Sequence, residues 1–186
     1  MTLEPSKEID YAVRYIDGGV SIVPLKLDGS KGAAVPSWNP YRERIASGEE
    51  LNEWFVRGRH GIGIVCGPIS GGLEVIDFDT AELWRPWKSL LPHDLQCRLT
   101  TVQTPGGWHV MSRCREYCGN RKLAMWEEPQ SMSERDHQTR QGMNFETIGR
   151  GVRIETRGDG GYVVGFGSPH SVHPSGRMYI HALWRT

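Results

Sequence analysis

"LEVIDFDT", residues 73–80, sets two aspartates into an apolar run: Leu73, Val75 and Ile76 lead in, Phe78 separates Asp77 from Asp79, and Thr80 closes. Aspartate is a poor strand former, and neighbouring carboxylates repel each other unless something positive sits between them. On a strand, residues two apart share a face, which places these Cα atoms roughly 7 Å apart. Two hard oxygen ligands so arranged suit a divalent Mg²⁺ or Mn²⁺. The plainer alternative is a solvated strand end, with Asp79 capping a helix that follows.

Outward from this stretch the chain mixes short strands and helices. "GIGIVCG" (61–67) and "GGLEVIDFD" (71–79) read as strands separated by Pro68 and Gly71-Gly72, hence as a hairpin. A helix is predicted from Thr80 to Leu91, ended by Pro92. "LTTVQTPGGWHVMSRC" (99–114) reads as two strands joined by a Pro-Gly turn, and "VRIETRGDGGYVVGFG" (152–167) as a hairpin turning at "GDGG". "MYIHALW" (178–184) is the last predicted strand.

Upstream, "SKEIDYAVRYIDGG" (6–19) carries Ile9, Ala12, Val13 and Ile16 at helical spacing, with Ser6 as N-cap and Gly18-Gly19 as the stop. "VSIVPL" (20–25) reads as a strand, "GSKGAAVPSWNP" (29–40) as a turn-rich loop, and "SGEELNEWFVRG" (47–58) as a helix opened by Ser47. The polar stretch from about Glu116 to Phe145 reads as an insertion or mobile loop. The class is α+β, with residues 1–186 read as one domain or two tightly joined subdomains.

Length and charge bound the function. The 186 residues suffice for a real core, no apolar run approaches a membrane span, and "MTLEPSKEID" lacks the apolar centre of a signal peptide. The reading is a cytoplasmic protein without a membrane partner. The 22 basic residues balance 22 acidic ones, which argues against a tight stand-alone DNA binder, since phosphate neutralisation supplies most of such affinity. Cys114 and Cys118, with Cys97 or His137, are the candidates for a zinc site. Their spacing lacks the paired CxxC knuckles, so free thiols are the preferred reading.

Three further groups carry chemistry. His109 follows the Gly106-Gly107 turn, where two glycines permit close approach by a ligand or another backbone. Glu155 lies on a strand before a Gly-rich turn; its plain reading is an exposed partner of Arg153 or Arg157. Asp159 reads as ordinary Asp-Gly turn chemistry.

An acid-x-acid, then Gly-Gly-x-His, then an acid before Gly-Asp-Gly-Gly-Tyr is an ordered set. In it the chain resembles the archaeo-eukaryotic primase superfamily, in particular the bifunctional primase–polymerase domains of plasmids, phages and other mobile elements. Asp77-Phe78-Asp79 matches the first motif, Gly106-Gly107-Trp108-His109 the second, and Ile154-Glu155 the third. "GGVSIVPLKLDGSKGAAVPSW" (18–38) resembles the family's opening and "SVHPSGRMY" (171–179) its closing segment, so the likeness spans about residues 10 to 180. Three features depart from it. Glu155 stands where aspartate is also common, "GFGSPH" (165–170) lengthens a link and leaves the role of Ser168 or Ser171 open, and the polar stretch widens the interval between second and third motifs.

The resemblance implies two tightly joined subdomains, an N-terminal α/β part and an RRM-like antiparallel part, with the catalytic cleft between them. It implies a template-directed nucleotidyltransferase in DNA replication, a DNA primase and DNA polymerase adding NTPs or dNTPs to a 3′-hydroxyl. Asp77, Asp79 and Glu155 would hold Mg²⁺ or Mn²⁺. His109, Lys31, Arg157 and Arg113 would bind the nucleotide, and Trp38, Trp108 and Trp126 are candidates to stack on bases. Partners would be a single-stranded DNA template, a primer, and a helicase module in the same protein or in trans. Two rivals use the same residues: a metal-dependent nuclease or phosphodiesterase, and a non-catalytic replication-initiator module that binds nucleotides.

Overall fold

The computed structural model describes residues 7–126 and 151–182. Its class is α+β, with helices packed on two antiparallel sheets. The first, three-stranded sheet runs in the order β1 (Ile22–Leu25), β2 (Gly61–Val65), β8 (Tyr162–Val164). The second has six strands, in the order β6 (Arg121–Trp126), β7 (Gly151–Arg157), β3 (Leu73–Phe78), β5 (Trp108–Arg113), β4 (Thr100–Gln103), β9 (Ile180–Ala182).

Strand alternation decides how the second sheet is used. On β3, Leu73 and Val75 face the large core, which they share with Ile22, Ile62 and Val163 of the first sheet. Asp77 continues that same face beyond the apolar pair. Phe78 points the other way into a small second core, edge-on to Trp84 of α3 (Ala81–Ser89) at 5.6 Å. α3 thus covers one face of the sheet while the first sheet and α1 (Lys7–Asp17) cover the other.

Local signals account for several elements. Ser47 accepts from Glu50 N while the Glu50 carboxylate accepts from Ser47 N, a reciprocal cap that starts α2 (Gly48–Asn52). The helix continues as a π turn over Glu53–Arg57, burying Trp54 and Phe55. Ser6, the expected cap of α1, lies outside the described residues. The Thr104–Gly107 turn joins β4 to β5 as expected, held by Thr104 N to Gly107 O at 2.9 Å and Gly107 N to Thr104 Oγ1 at 2.8 Å. α4 (His93–Arg98), after Pro92, was not anticipated.

Two predicted hairpins do not form, for one shared reason. β2 and β3 belong to different sheets, and so do β7 and β8. Pro68–Ser70 makes a short 3₁₀ turn between Gly67 at φ 92° and Gly71 at φ 70°, which redirects the chain from one sheet to the other. The second crossover lies against the first: Cys66 N donates to Gly161 O at 3.0 Å, and a Cβ on Gly67 would stand 2.7 Å from Asp159 Cα. Turn residues mark a reversal, but only tertiary pairing decides whether the next strand joins the same sheet. A third expectation is corrected within the polar stretch. Residues 121–126 form edge strand β6, paired to β7 through a bulged register; residues 127–145 lie outside the described ones.

Candidate active site

The pairing of the central strands brings the sequence-predicted residues together. Asp77 stands opposite His109 on β5 and opposite Glu155 on β7, so the three lie in one row across three strands. Asp79, just past β3, keeps the ladder going by donating its N–H to Arg153 O at 3.0 Å. It does not cap α3, whose N-cap position is Thr80. The row is placed by close backbone contact, since a Cβ on Gly107 would fall 1.8 Å from Phe78 O. The approach that glycine permits there is to another backbone rather than to a ligand.

These residues line a cleft of about 450 Å³. Asp77, Asp79, Glu155, Arg157 and His109 form the wall on the six-stranded sheet; Lys31, Trp38, Gly160, Gly161 and Tyr162 form much of the facing wall. Two predicted site residues go elsewhere. Arg113 is not in the cleft: its Nε donates to Ser70 O at 3.2 Å and its Nη2 to Gly18 O, clamping the first crossover. Trp108 stacks on Trp84 at 5.3 Å in the second core, on the far face of the sheet. The Trp126 side chain lies outside the described ones. Ser168 is structural, its buried hydroxyl accepting from Ile62 N at 2.9 Å and donating to Ile62 O at 3.2 Å.

Each acid has a different electrostatic setting. Burial alone would raise Asp77, but His109, whose Nε2 lies 3.5 Å from Oδ1, together with Arg157 and Lys31, outweighs it and holds the carboxyl below its ordinary value. Asp79 is pushed up to about 6, first by desolvation and then by the charges of Asp77 and Glu155, against the pull of Arg153 and Lys31. Glu155 is ion-paired with Arg157 on its own strand. His109 is only 5% exposed, and its Nδ1 is buried with no hydrogen-bond partner among the described residues.

Sequence reasoning missed two members of the site, Tyr179 and Tyr162. Tyr179 is 3% exposed, lies 5.9 Å from the His109 ring, and has its phenol raised by burial and by the Asp77 charge. Tyr162 closes the facing wall, its ring edge-on to Trp38 at 5.2 Å. Both tyrosines fall inside stretches that carry the resemblance, "GDGGYVV" and "SVHPSGRMY", and that was the available signal.

No group of three His, Cys, Asp or Glu side chains among the described residues is gathered tightly enough to hold an ion as it stands. For the acids the cause is visible, since Asp77 turns to His109 and Glu155 to Arg157. Cys114 lies 3.6 Å from Ser112 Oγ, Cys118 and Cys97 are exposed, and His137 lies outside the described residues. No helix among the described residues is long and apolar enough to cross a membrane.

The family model described as bifunctional DNA primase/polymerase, N-terminal, matches residues 12–183. Among curated proteins no match was found.

Proposed function

Since the chain belongs to the bifunctional DNA primase/polymerase N-terminal family, we propose that this cleft joins nucleotides to a 3′-hydroxyl on a single-stranded DNA template, with Mg²⁺ or Mn²⁺ held by Asp77, Asp79 and Glu155. The observation that carries the reading is the single row Glu155–Asp77–His109 with Asp79 beside it, facing Lys31 across one cleft. The donor set suits a hard dication, and the charges of Asp77 and Glu155, which add to desolvation in raising Asp79, are what a bound cation would offset. When bound, the ion supplies a lowered pKa for the attacking hydroxyl and charge neutralisation for the triphosphate.

The chain's own residues do the positioning that phosphoryl transfer chiefly requires. Lys31 and Arg157 are proposed as cations for the nucleotide's phosphates. Arg157 is shared, since it now neutralises Glu155 and would be released when a dication takes that carboxylate. His109 is proposed as a hydrogen-bond donor to the nucleotide's phosphates and as the group that orients Asp77. Trp38, on the facing wall, is proposed as the aromatic surface for a base. A helicase in cis or in trans would deliver the unwound strand.

The test is nucleotide addition by purified protein with Mg²⁺ or Mn²⁺. A labelled primer–template is compared with unprimed single-stranded DNA, with and without NTPs and dNTPs. Lengthening that needs nucleotides and disappears in Asp77→Asn supports the reading, and products on the unprimed strand add primase activity. Shortening without nucleotides would replace it by the nuclease, and triphosphate binding with neither would leave a binding module.

A further inference from the structure

Lys31 is the single non-glycine among the described residues with a positive φ, 58°. That left-handed backbone is costly for a side chain with a Cβ, so something outside the residue must hold it. The loop of residues 26–32 is closed locally by Lys26 N to Gly32 O at 2.8 Å, Ser30 N to Asp28 Oδ1 at 2.9 Å and Gly32 N to Ser30 Oγ at 3.1 Å. It is also tied from afar. Gly29 N donates to Ser171 O at 3.1 Å, and the Tyr162 hydroxyl donates to the Lys31 carbonyl at 3.1 Å, across 131 residues of sequence.

The Tyr162 anchor is rigid. Its backbone pairs with Val65 in the three-stranded sheet, and its ring is braced edge-on by Trp38. A carbonyl held from a fixed strand fixes the peptide plane, and with it the direction in which the Lys31 side chain leaves the loop. That direction is into the cleft, where Lys31 stands among the lining residues and its charge acts on Asp77, Asp79 and His173.

We propose that Tyr162 is a positioning residue: its phenol holds the Lys31 carbonyl so that the strained loop presents the ammonium to the triphosphate of the incoming nucleotide. This rests on the polymerase reading above. It adds that a tyrosine with no charge of its own sets nucleotide affinity through a backbone bond, and that the loop is pre-formed instead of being ordered by the ligand.

The experiment is a double-mutant cycle with Tyr162→Phe, Lys31→Ala and the combination, on the whole chain. Two readouts are used: equilibrium binding of a fluorescent nucleoside triphosphate with Mg²⁺ and no DNA, and separate KM values for nucleotide and primer–template. Tyr162→Phe keeps the ring on Trp38 and removes one hydrogen bond. It should weaken triphosphate binding about fivefold and raise nucleotide KM to match, leaving the primer–template KM in place. In the Lys31→Ala background the same change should do nothing. Ser30→Ala, which loosens the turn without touching Tyr162, should copy the phenotype. An equal loss in both backgrounds, or unchanged triphosphate affinity in Tyr162→Phe, overturns the proposal. Binding is read without DNA, so a wild type that fails to extend primers sinks the polymerase reading while the tether is still judged by the cycle.

Discussion

The two walls of the cleft are built differently. The acid wall stands on three paired strands of one sheet, where register fixes Glu155, Asp77 and His109 side by side. The facing wall is assembled from a loop after β1, a 3₁₀ segment near Trp38 and the start of β8, held by long-range bonds such as Tyr162 to Lys31. A strand wall is stiff because the central strand is hydrogen-bonded to a neighbour along both of its edges. A loop wall owes its shape to a few backbone and side-chain bonds, and the side-chain ones, such as Tyr162 to Lys31, can be removed singly. The acid wall should therefore lose function through chemistry, and the loop wall through affinity.

The largest expected effect is on the acid wall. Asp77→Asn keeps an acceptor facing His109 but removes a charge, and should lower kcat by about a thousandfold or more, the scale of several kcal/mol of lost charge stabilisation. Nucleotide KM should move far less; a variant with normal kcat would break the contrast at its root. Next comes the backbone that holds this wall. Gly107→Ala would set a Cβ on Phe78 O, and should cost about 3 kcal/mol of stability in a urea titration. An unchanged midpoint would mean that the turn is free to move.

Lys31→Ala probes the loop wall. It should raise nucleotide KM about tenfold, the effect of losing one charge-assisted contact, with kcat within a few-fold of wild type and the fold unaffected. A kcat loss as deep as that of Asp77→Asn would make the two walls equivalent.

The same contrast explains what could be read from the chain. Asp77, Asp79, His109 and Glu155 were legible because strand alternation and motif order are local facts, and antiparallel register converts them into proximity. The reciprocal Ser47–Glu50 cap and the Thr104–Gly107 turn were legible for the same reason. The crossovers were not. Gly67, Gly71 and the Gly160-Gly161 pair announce a reversal, but whether β3 returns to β2 or leaves for a second sheet depends on Val75 and Phe78 each finding a different core. Arg113 shows the limit from the other side: an arginine four residues after the motif histidine invites a phosphate, yet two backbone carbonyls at the crossover claim it. Tyr162 and Tyr179 were hidden because their importance lies in partners 131 and 70 positions away, Lys31 and His109.

The smallest effect separates the two aspartates within the acid wall. Asp79 has its folded value raised from 3.8 to about 6, so between these limits the folded protein holds a proton that the unfolded chain has released. Stability must fall as pH rises through that window and stay lower above it. Full transmission of the shift would amount to about 3 kcal/mol; Asp79 is exposed, so solvent screening reduces this to about 1 kcal/mol. Asp79→Asn should therefore raise the melting temperature by a few degrees at pH 7.5, and the gain should fade as pH is lowered toward 4. Asp77 carries the opposite sign. Its folded value is depressed, so its carboxylate stabilises the fold above the ordinary aspartate range and that contribution is lost as pH falls through the folded value. Asp77→Asn should lower the melting temperature at pH 7.5, with a loss that shrinks in acid. Thermal melts of both variants across pH 4 to 8, without added metal, check the pair. Curves of the same sign would mean that the two carboxylates share one environment, and that the register placing only Asp77 against His109 is wrong.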